Sequence, residues 1–151
     1  MRLKKIVTLT VGFLICSSVP LFAHHGNAAF DSGKKVTVKG TITEWNWGNP
    51  HCFIEMDVKG DDGQVVHWVV EATAAPSLID IGITKRSFKP GDQITATMTP
   101  VKTHQPIGRV MDVVLPNGKT LYFGPEPGLN INRGNEEAEL TKINKAAQAE
   151  E

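Results

Sequence analysis

Between residues 35 and 123, apolar and polar residues alternate in short runs, and turn sequences separate the runs. Alternation with a period of two predicts half-buried β-strands. One segment, ATAAPSLIDIG at residues 72–82, breaks the alternation. Its early proline and its final glycine predict a short helix. We therefore expect a mainly β protein in which a single helix interrupts the strands.

Three predicted strands precede this helix, and two strands and a short closing strand follow it. This is the element order of the OB-fold, a five-stranded Greek-key barrel with its helix between the third and fourth strands. Gly40 lies near the middle of the long first strand, which has to bend to serve both halves of a barrel. We predict a small OB-like barrel of five to six strands over residues 34–124. A small open β-sandwich is the alternative.

The start of the chain has the pattern of a secretory signal peptide. Basic residues at positions 2, 4 and 5 precede an apolar run from Ile6 to Ile15, which is too short to span a bilayer. We expect residues 1–23 to be removed after Ala23, and no membrane span to remain. The mature protein would be periplasmic or secreted, and residues 24–33 would form a polar lead ahead of the barrel.

Removal of the signal peptide changes the charge and the cysteine content. Three of the 16 basic residues are lost, which leaves 13 against 16 acidic residues and a net charge near −3. Nucleic acid is therefore a poor candidate partner, since its phosphates select basic surfaces. Cys52 becomes the only cysteine in an oxidising compartment. Because it lies on the apolar face of the second strand, we expect it to be a buried side chain rather than a metal-binding thiolate.

The sequence WNWGNPHCFIEMD, residues 45–57, concentrates aromatic and imidazole groups between the first two strands. Flat rings supply contact area, and histidine supplies a ligand or a proton. We predict a ligand-binding corner, with the adjoining outer face included. Its candidate residues are Trp45, Trp47, Asn49, Phe53 and His67. The alternative is a well-packed barrel corner, because aromatic residues usually belong to the core.

By strict alternation, both tryptophans of this corner fall on the face opposite the valines of the first strand. Either a β-bulge after Gly40 turns them inward, or they stand on the outer face of the sheet. The same parity predicts that His67 lies across from Glu55 or Asp57. We interpret that pair as a cross-strand contact at a solvated face in preference to a catalytic dyad.

Histidines occur at the expected new amino terminus and in two loops of the predicted barrel. OB-folds tend to bind ligands near the loops that join strands one and two and strands four and five. His51 lies in the first of these loops and His104 in the second. The α-amine and imidazole of His24 can chelate one ion, and adding His25, His51 or His104 gives the all-nitrogen set that Cu(II) or Ni(II) favours. Three histidines and a water would suit Zn(II).

These patterns predict a binding module rather than an enzyme, since no GxSxG is present and Ser77 and Ser87 have no evident base. The predicted ligand is copper, another metal ion or a small molecule. The alternative is a non-metal interaction domain that docks on an envelope protein through its tryptophan-rich corner, with a solvated terminus whose histidines bind nothing.

Residues 125–151 form a tail rich in Gly, Pro, Asn and Glu. Leu140 and Ile143 have helical spacing, so a frayed terminal helix is one reading. The low apolar content favours disorder over that helix.

Several short sequences occur in a fixed order along the chain. They are Ala23-His24-His25, GTITEW at 40–45, Asn49-Pro50-His51, Lys89-Pro90-Gly91-Asp92 and Leu115-Pro116-Asn117-Gly118. Together they resemble the uncharacterised exported bacterial proteins grouped as domain of unknown function 6152. The resemblance covers about residues 24–124 and leaves out the acidic tail. It implies export and a small β domain, and it assigns no catalytic residue.

Overall fold

The structure is a computed structural model that describes residues 27–124 and 135–149. The predicted order of strands and helix is confirmed, and a second helix follows. A 3₁₀ turn, Asn27–Ala29, precedes the first strand. The elements are β1 (Val36–Asn46), β2 (Phe53–Lys59), β3 (Val65–Glu71), α1 (Ala75–Asp80), β4 (Gln93–Pro100), β5 (Ile107–Val114), β6 (Thr120–Tyr122) and α2 (Glu136–Gln148).

Five of the strands close into a barrel. β1 pairs with β2 on one side and with β4 on the other, and these two strands pair onward with β3 and β5. A parallel pairing of β3 with β5 closes the ring, and β6 is added to β5. The predicted OB-like barrel is confirmed. The open sandwich is wrong, because the sheet returns on itself.

A β-bulge in β1 places Trp45 inside the barrel. The register of β1 against β2 shifts between Ile42 and Glu44. The extra residue, Thr43, reverses the alternation of the strand, so that Ile42 and Trp45 both face the core. Trp45 is only 9% exposed. Of the two alternatives for this ring, the inward rotation by a bulge is confirmed.

The helix α2 covers the outer edge of β6. Its inner face consists of Leu140, Asn144 and Ala147, which recur at helical spacing and are buried. The Asn144 side chain accepts a hydrogen bond from the amide of Tyr122 at 2.8 Å and donates to the Tyr122 carbonyl at 2.9 Å. It also donates to the carbonyl of Ile81 at 2.8 Å. The expected disorder is thus wrong for residues 136–148, because this face finds a partner in the backbone of β6.

The amino-terminal lead is attached to the barrel by Phe30. Its side chain is buried, its backbone forms a β-bridge with Val101, and the amide of Asp31 donates to the carbonyl of Pro100 at 2.8 Å. The lead therefore extends the fold toward the β4–β5 side. The expected signal peptide, together with His24 and His25, lies outside the described residues, as does the segment 125–134. No helix in the described ranges is long and apolar enough to cross a membrane.

Candidate functional site

The two loops that OB-folds use for binding flank one end of β3. We call residues 47–52 the β1–β2 loop and residues 101–106 the β4–β5 loop. Glu71, the last residue of β3, pairs with Phe53 just after the first loop and with Arg109 just after the second. In addition, the amide of Val69 donates to the Pro106 carbonyl at 3.0 Å. Residues from both loops and from β3 therefore border one rim of the barrel.

Side chains at this rim form a cluster centred on Glu71. Arg109 Nη2 donates to Glu71 Oε1 at 3.0 Å, and the guanidinium carbon lies 4.3 Å from the centre of the Phe30 ring. His51 Nδ1 lies 3.3 Å from the same Glu71 oxygen. The arginine is held by a carboxylate on one side and an aromatic face on the other. We call Phe30, His51, Phe53, Glu71 and Arg109 the rim cluster.

Three members of the rim cluster, Phe30, Glu71 and Arg109, were missed by the sequence analysis. Strand parity places Glu71 on the outer face of the third strand. By strict alternation, Arg109 would share the inner face with Met111 and Val113, but a register shift of β5 against β4 leaves Met111 as an extra residue and turns Arg109 outward. The sequence therefore carried a signal for Glu71 and none for Arg109. No such pattern applies to Phe30, because its position depends on a single bridge outside the named strands.

Only one ring nitrogen of His51 has a partner among the residues that the structure describes. Its Nδ1 lies 3.2 Å from the carbonyl oxygen of Ala72 as well as near Glu71. A carbonyl oxygen only accepts hydrogen bonds, so Nδ1 carries a proton, and in the neutral form of the ring Nε2 has the lone pair. Nε2 has no hydrogen-bond partner within the described ranges, and the side chain is 43% exposed. This nitrogen is available to a metal ion or a proton.

His67 is engaged at both ring nitrogens. Nδ1 lies 2.8 Å from Asp57 Oδ1, and Nε2 lies 3.3 Å from Glu55 Oε2. The strand register places His67 directly opposite Asp57, so the predicted cross-strand pair is confirmed. The hydrogen bond with Asp57, followed by that with Glu55, raises the pKa of His67 above its ordinary value of about 6.5. Only the imidazolium can donate to both carboxylates, so protonation completes both contacts and neither ring nitrogen is left for another partner.

We expect Asp57→Asn to lower the pKa of His67, because it removes the strongest partner of the imidazolium. An NMR titration of the imidazole protons measures this change. Since the folded-state pKa is the higher one, the stabilisation is complete below about pH 6.5 and is lost as the pH rises through the folded-state value. The gain is small, because the side chain is 47% exposed. Asp61→Asn, in the adjacent turn, is the control and leaves the pKa in place; an unchanged pKa in Asp57→Asn would contradict the assignment.

The structure places the two tryptophans that were predicted for the ligand-binding corner in different environments. Trp45 lies in the core, where its Nε1–H donates to the carbonyl of Thr84 at 3.3 Å and its ring packs edge-on against Phe88. It is therefore a core residue and not a surface for a ligand. Trp47 is half-buried and lies 5.4 Å from Trp45, ring centre to ring centre. The tryptophan-rich corner thus exposes much less aromatic surface than the sequence suggested.

The other predicted residues remain at or near the rim. Asn49 is exposed in the β1–β2 loop, and Phe53 is half-buried on the outer face with its ring 6.4 Å from that of His51. His104 is exposed in the β4–β5 loop, with a positive φ of 60°. Cys52 is fully buried, as predicted.

Within the ranges 27–124 and 135–149, no group of three or more His, Cys, Asp or Glu side chains is arranged to hold a metal ion.

Comparison with known proteins identifies a family whose function is unknown. The model of a family of unknown function, DUF6152, matches residues 11–109, about two thirds of the chain. The match includes both rim loops and extends to Arg109 of the rim cluster. Neither the curated proteins nor the solved structures contain a significant match.

Proposed function

We propose that this chain, which belongs to the family of unknown function DUF6152, is an exported binding module of the periplasm that holds a metal ion at its rim. The observation that carries the proposal is the hydrogen bonding of the two ring nitrogens of His51. Its Nδ1–H is directed at the Ala72 carbonyl, its Nε2 has no hydrogen-bond partner among the described residues, and 43% of the side chain is exposed. Histidine ligands of metal ions commonly donate the other ring N–H to a carbonyl or carboxylate, which fixes the ring for coordination.

In this proposal Glu71 supports the ligand and does not itself bind the ion. Its Oε1 already accepts from Arg109 and lies close to His51 Nδ1. The positive guanidinium offsets the charge of the carboxylate, so a cation gains little from direct contact with Glu71. The carboxylate instead fixes the ring of His51, as outer partners of metal-binding histidines do.

The remaining ligands come from His104 and from the expected amino terminus. The residues that the structure describes include no complete ligand set. In this proposal the α-amine and imidazole of His24 add two nitrogens to those of His51 and His104, and the imidazole of His25 is the alternative to either loop histidine. Four nitrogen donors favour Cu(II) in a square-planar arrangement. Export is supported by the basic start and apolar run of residues 2–15, and it would generate the free amine at His24.

The test is a titration of the protein that starts at His24 with Cu(II), followed by calorimetry and electron spin resonance. We expect a sub-micromolar Kd and a spectrum of nitrogen coordination. His51→Ala removes one ligand and weakens binding by about tenfold or more. An additional residue ahead of His24 weakens binding as well, because it removes the chelate formed by the amine.

His67→Ala is the matched control, since both nitrogens of that imidazole are already engaged by carboxylates. It leaves the Kd unchanged. Binding that is unaffected by His51→Ala and depends only on the amino-terminal residues would place the ion on the terminus alone and refute a site at the rim.

A further inference from the structure

The hairpin of β2 and β3 projects beyond the point at which the barrel closes. β3 pairs with β2 from Val65 to Glu71, but it pairs with β5 only from Val69 onward. Within the described part of the chain, residues 65–68 therefore have a strand neighbour on one side only. On the side toward β5, this part of β3 is a free strand edge.

Two residues direct their backbone groups toward this free edge. The amide of Val69 donates across the gap to the carbonyl of Pro106. Backbone direction alternates along a strand, so Val65 and His67 direct their N–H and C=O groups to the same side as Val69. Neither residue has a backbone partner on this side in the described ranges. The edge thus offers two donors and two acceptors to an added strand.

Apolar side chains flank these backbone groups on both faces of the strand. Val65 is 59% exposed and Val66 is 43% exposed, and they are two of the three exposed large hydrophobic residues in the described part of the chain. The free edge of β6 is protected differently, since Asn144 of α2 bonds both backbone groups of Tyr122. No described element covers β3 in that way.

The charges around the edge indicate what kind of strand would bind there. Carboxylates predominate on the outer face of the hairpin and in its turn, against the single lysine Lys59 and the shared imidazolium of His67. A second copy of the chain would bring like charges together, whereas basic side chains would be attracted. The carboxylates are those of Glu55, Asp57, Asp61 and Asp62.

We propose that residues 65–68 of β3 bind an extended segment of a partner protein by β-strand addition. The segment alternates apolar residues with Lys or Arg, so that its backbone pairs with Val65 and His67 while the excess of carboxylates over cations on the hairpin attracts its basic side chains. This surface is separate from the rim cluster, and the binding does not require a metal ion.

The test uses the capped peptide TVKVKVT as the probe, with hydrogen exchange followed by NMR. In the free protein, the amides of Val65 and His67 exchange faster than that of Val69. A saturating amount of peptide slows their exchange about tenfold or more, because each amide gains a strand partner. Val66→Lys abolishes this protection by adding a positive charge at the edge. Ile79→Lys, at the third exposed hydrophobic residue, is the matched control and retains it.

Two further arms can overturn the proposal. The acidic peptide TVEVEVT has the same strand propensity, and equal protection by it would contradict selection for basic side chains. Protection that increases with protein concentration in the absence of peptide would show that a second copy occupies the edge. Slow exchange at Val65 and His67 in the dilute free protein would show that the edge is already covered.

Discussion

Replacement of Asn144 by leucine is expected to lower the free energy of unfolding by about 3 kcal/mol, because it leaves several buried backbone groups without partners. The asparagine is fully buried, and its three hydrogen bonds all end on backbone atoms of Tyr122 and Ile81. Leucine has a volume similar to that of asparagine, so the loss of stability reflects the missing hydrogen bonds and not a new cavity. Urea denaturation measures the change.

Lys142→Ala is the control on the same helix. Lys142 is exposed and pairs with Glu139 one turn earlier at 3.0 Å, so its removal changes stability by less than about 0.5 kcal/mol. The amide of Tyr122 provides a second measurement, since its hydrogen exchange accelerates only in Asn144→Leu. Equal stability of the two variants would mean that α2 does not dock on β6.

The barrel could be predicted from the sequence because its strands follow a local rule. Period-two alternation identifies each strand, and parity fixes which faces meet, as the pairing of His67 with Asp57 demonstrates. The position of the helix between the third and fourth strands then selects one known topology. That topology includes the β3–β5 pairing, although no local pattern in the sequence encodes it.

The inward orientation of Trp45 and the ordered helix α2 could not be predicted, because neither follows from the pattern of apolar and polar residues. A single extra residue, Thr43, reverses the parity of β1, and alternation cannot show which residue is extra. The anchor of α2 is Asn144, a polar residue that lowers the apparent amphipathicity of the helix. Its contribution appears only when the backbone of Tyr122 is in place.

The sequence predicted which loops form the rim, but it did not predict which side chains interact there. Both rim loops were identified, and so was His51. The partners of that histidine, the Ala72 carbonyl and Glu71, lie about 20 residues away along the chain, and the Glu71–Arg109 pair spans 38 residues. A backbone carbonyl has no sequence signature at all. The protonated nitrogen of His51, on which the proposed metal site depends, therefore required the structure.

Gly40 joins the two halves of the barrel, and its replacement by alanine is expected to lower the free energy of unfolding by about 3 kcal/mol. β1 pairs with β4 up to Thr41 and with β2 from Thr41 onward, so it changes partners next to this glycine. A Cβ at position 40 would lie 2.5 Å from the backbone oxygen of Asp57 and 2.7 Å from Met56 Cε. A methionine end can move aside, whereas a carbonyl within a paired strand cannot move alone.

Gly48→Ala is the matched control, because a Cβ there would have no atom within 4 Å. Neither glycine has a φ in the left-handed region, so the two substitutions differ in the space available and not in backbone strain. Gly48→Ala leaves stability unchanged or raises it by up to about 1 kcal/mol through the unfolded chain. The displacement in Gly40→Ala would also shift Asp57 and thereby the resonances of His67. If both alanine variants unfold at the same urea concentration, β1 does not approach β2 closely enough to require a glycine, and the bend that closes the barrel lies elsewhere.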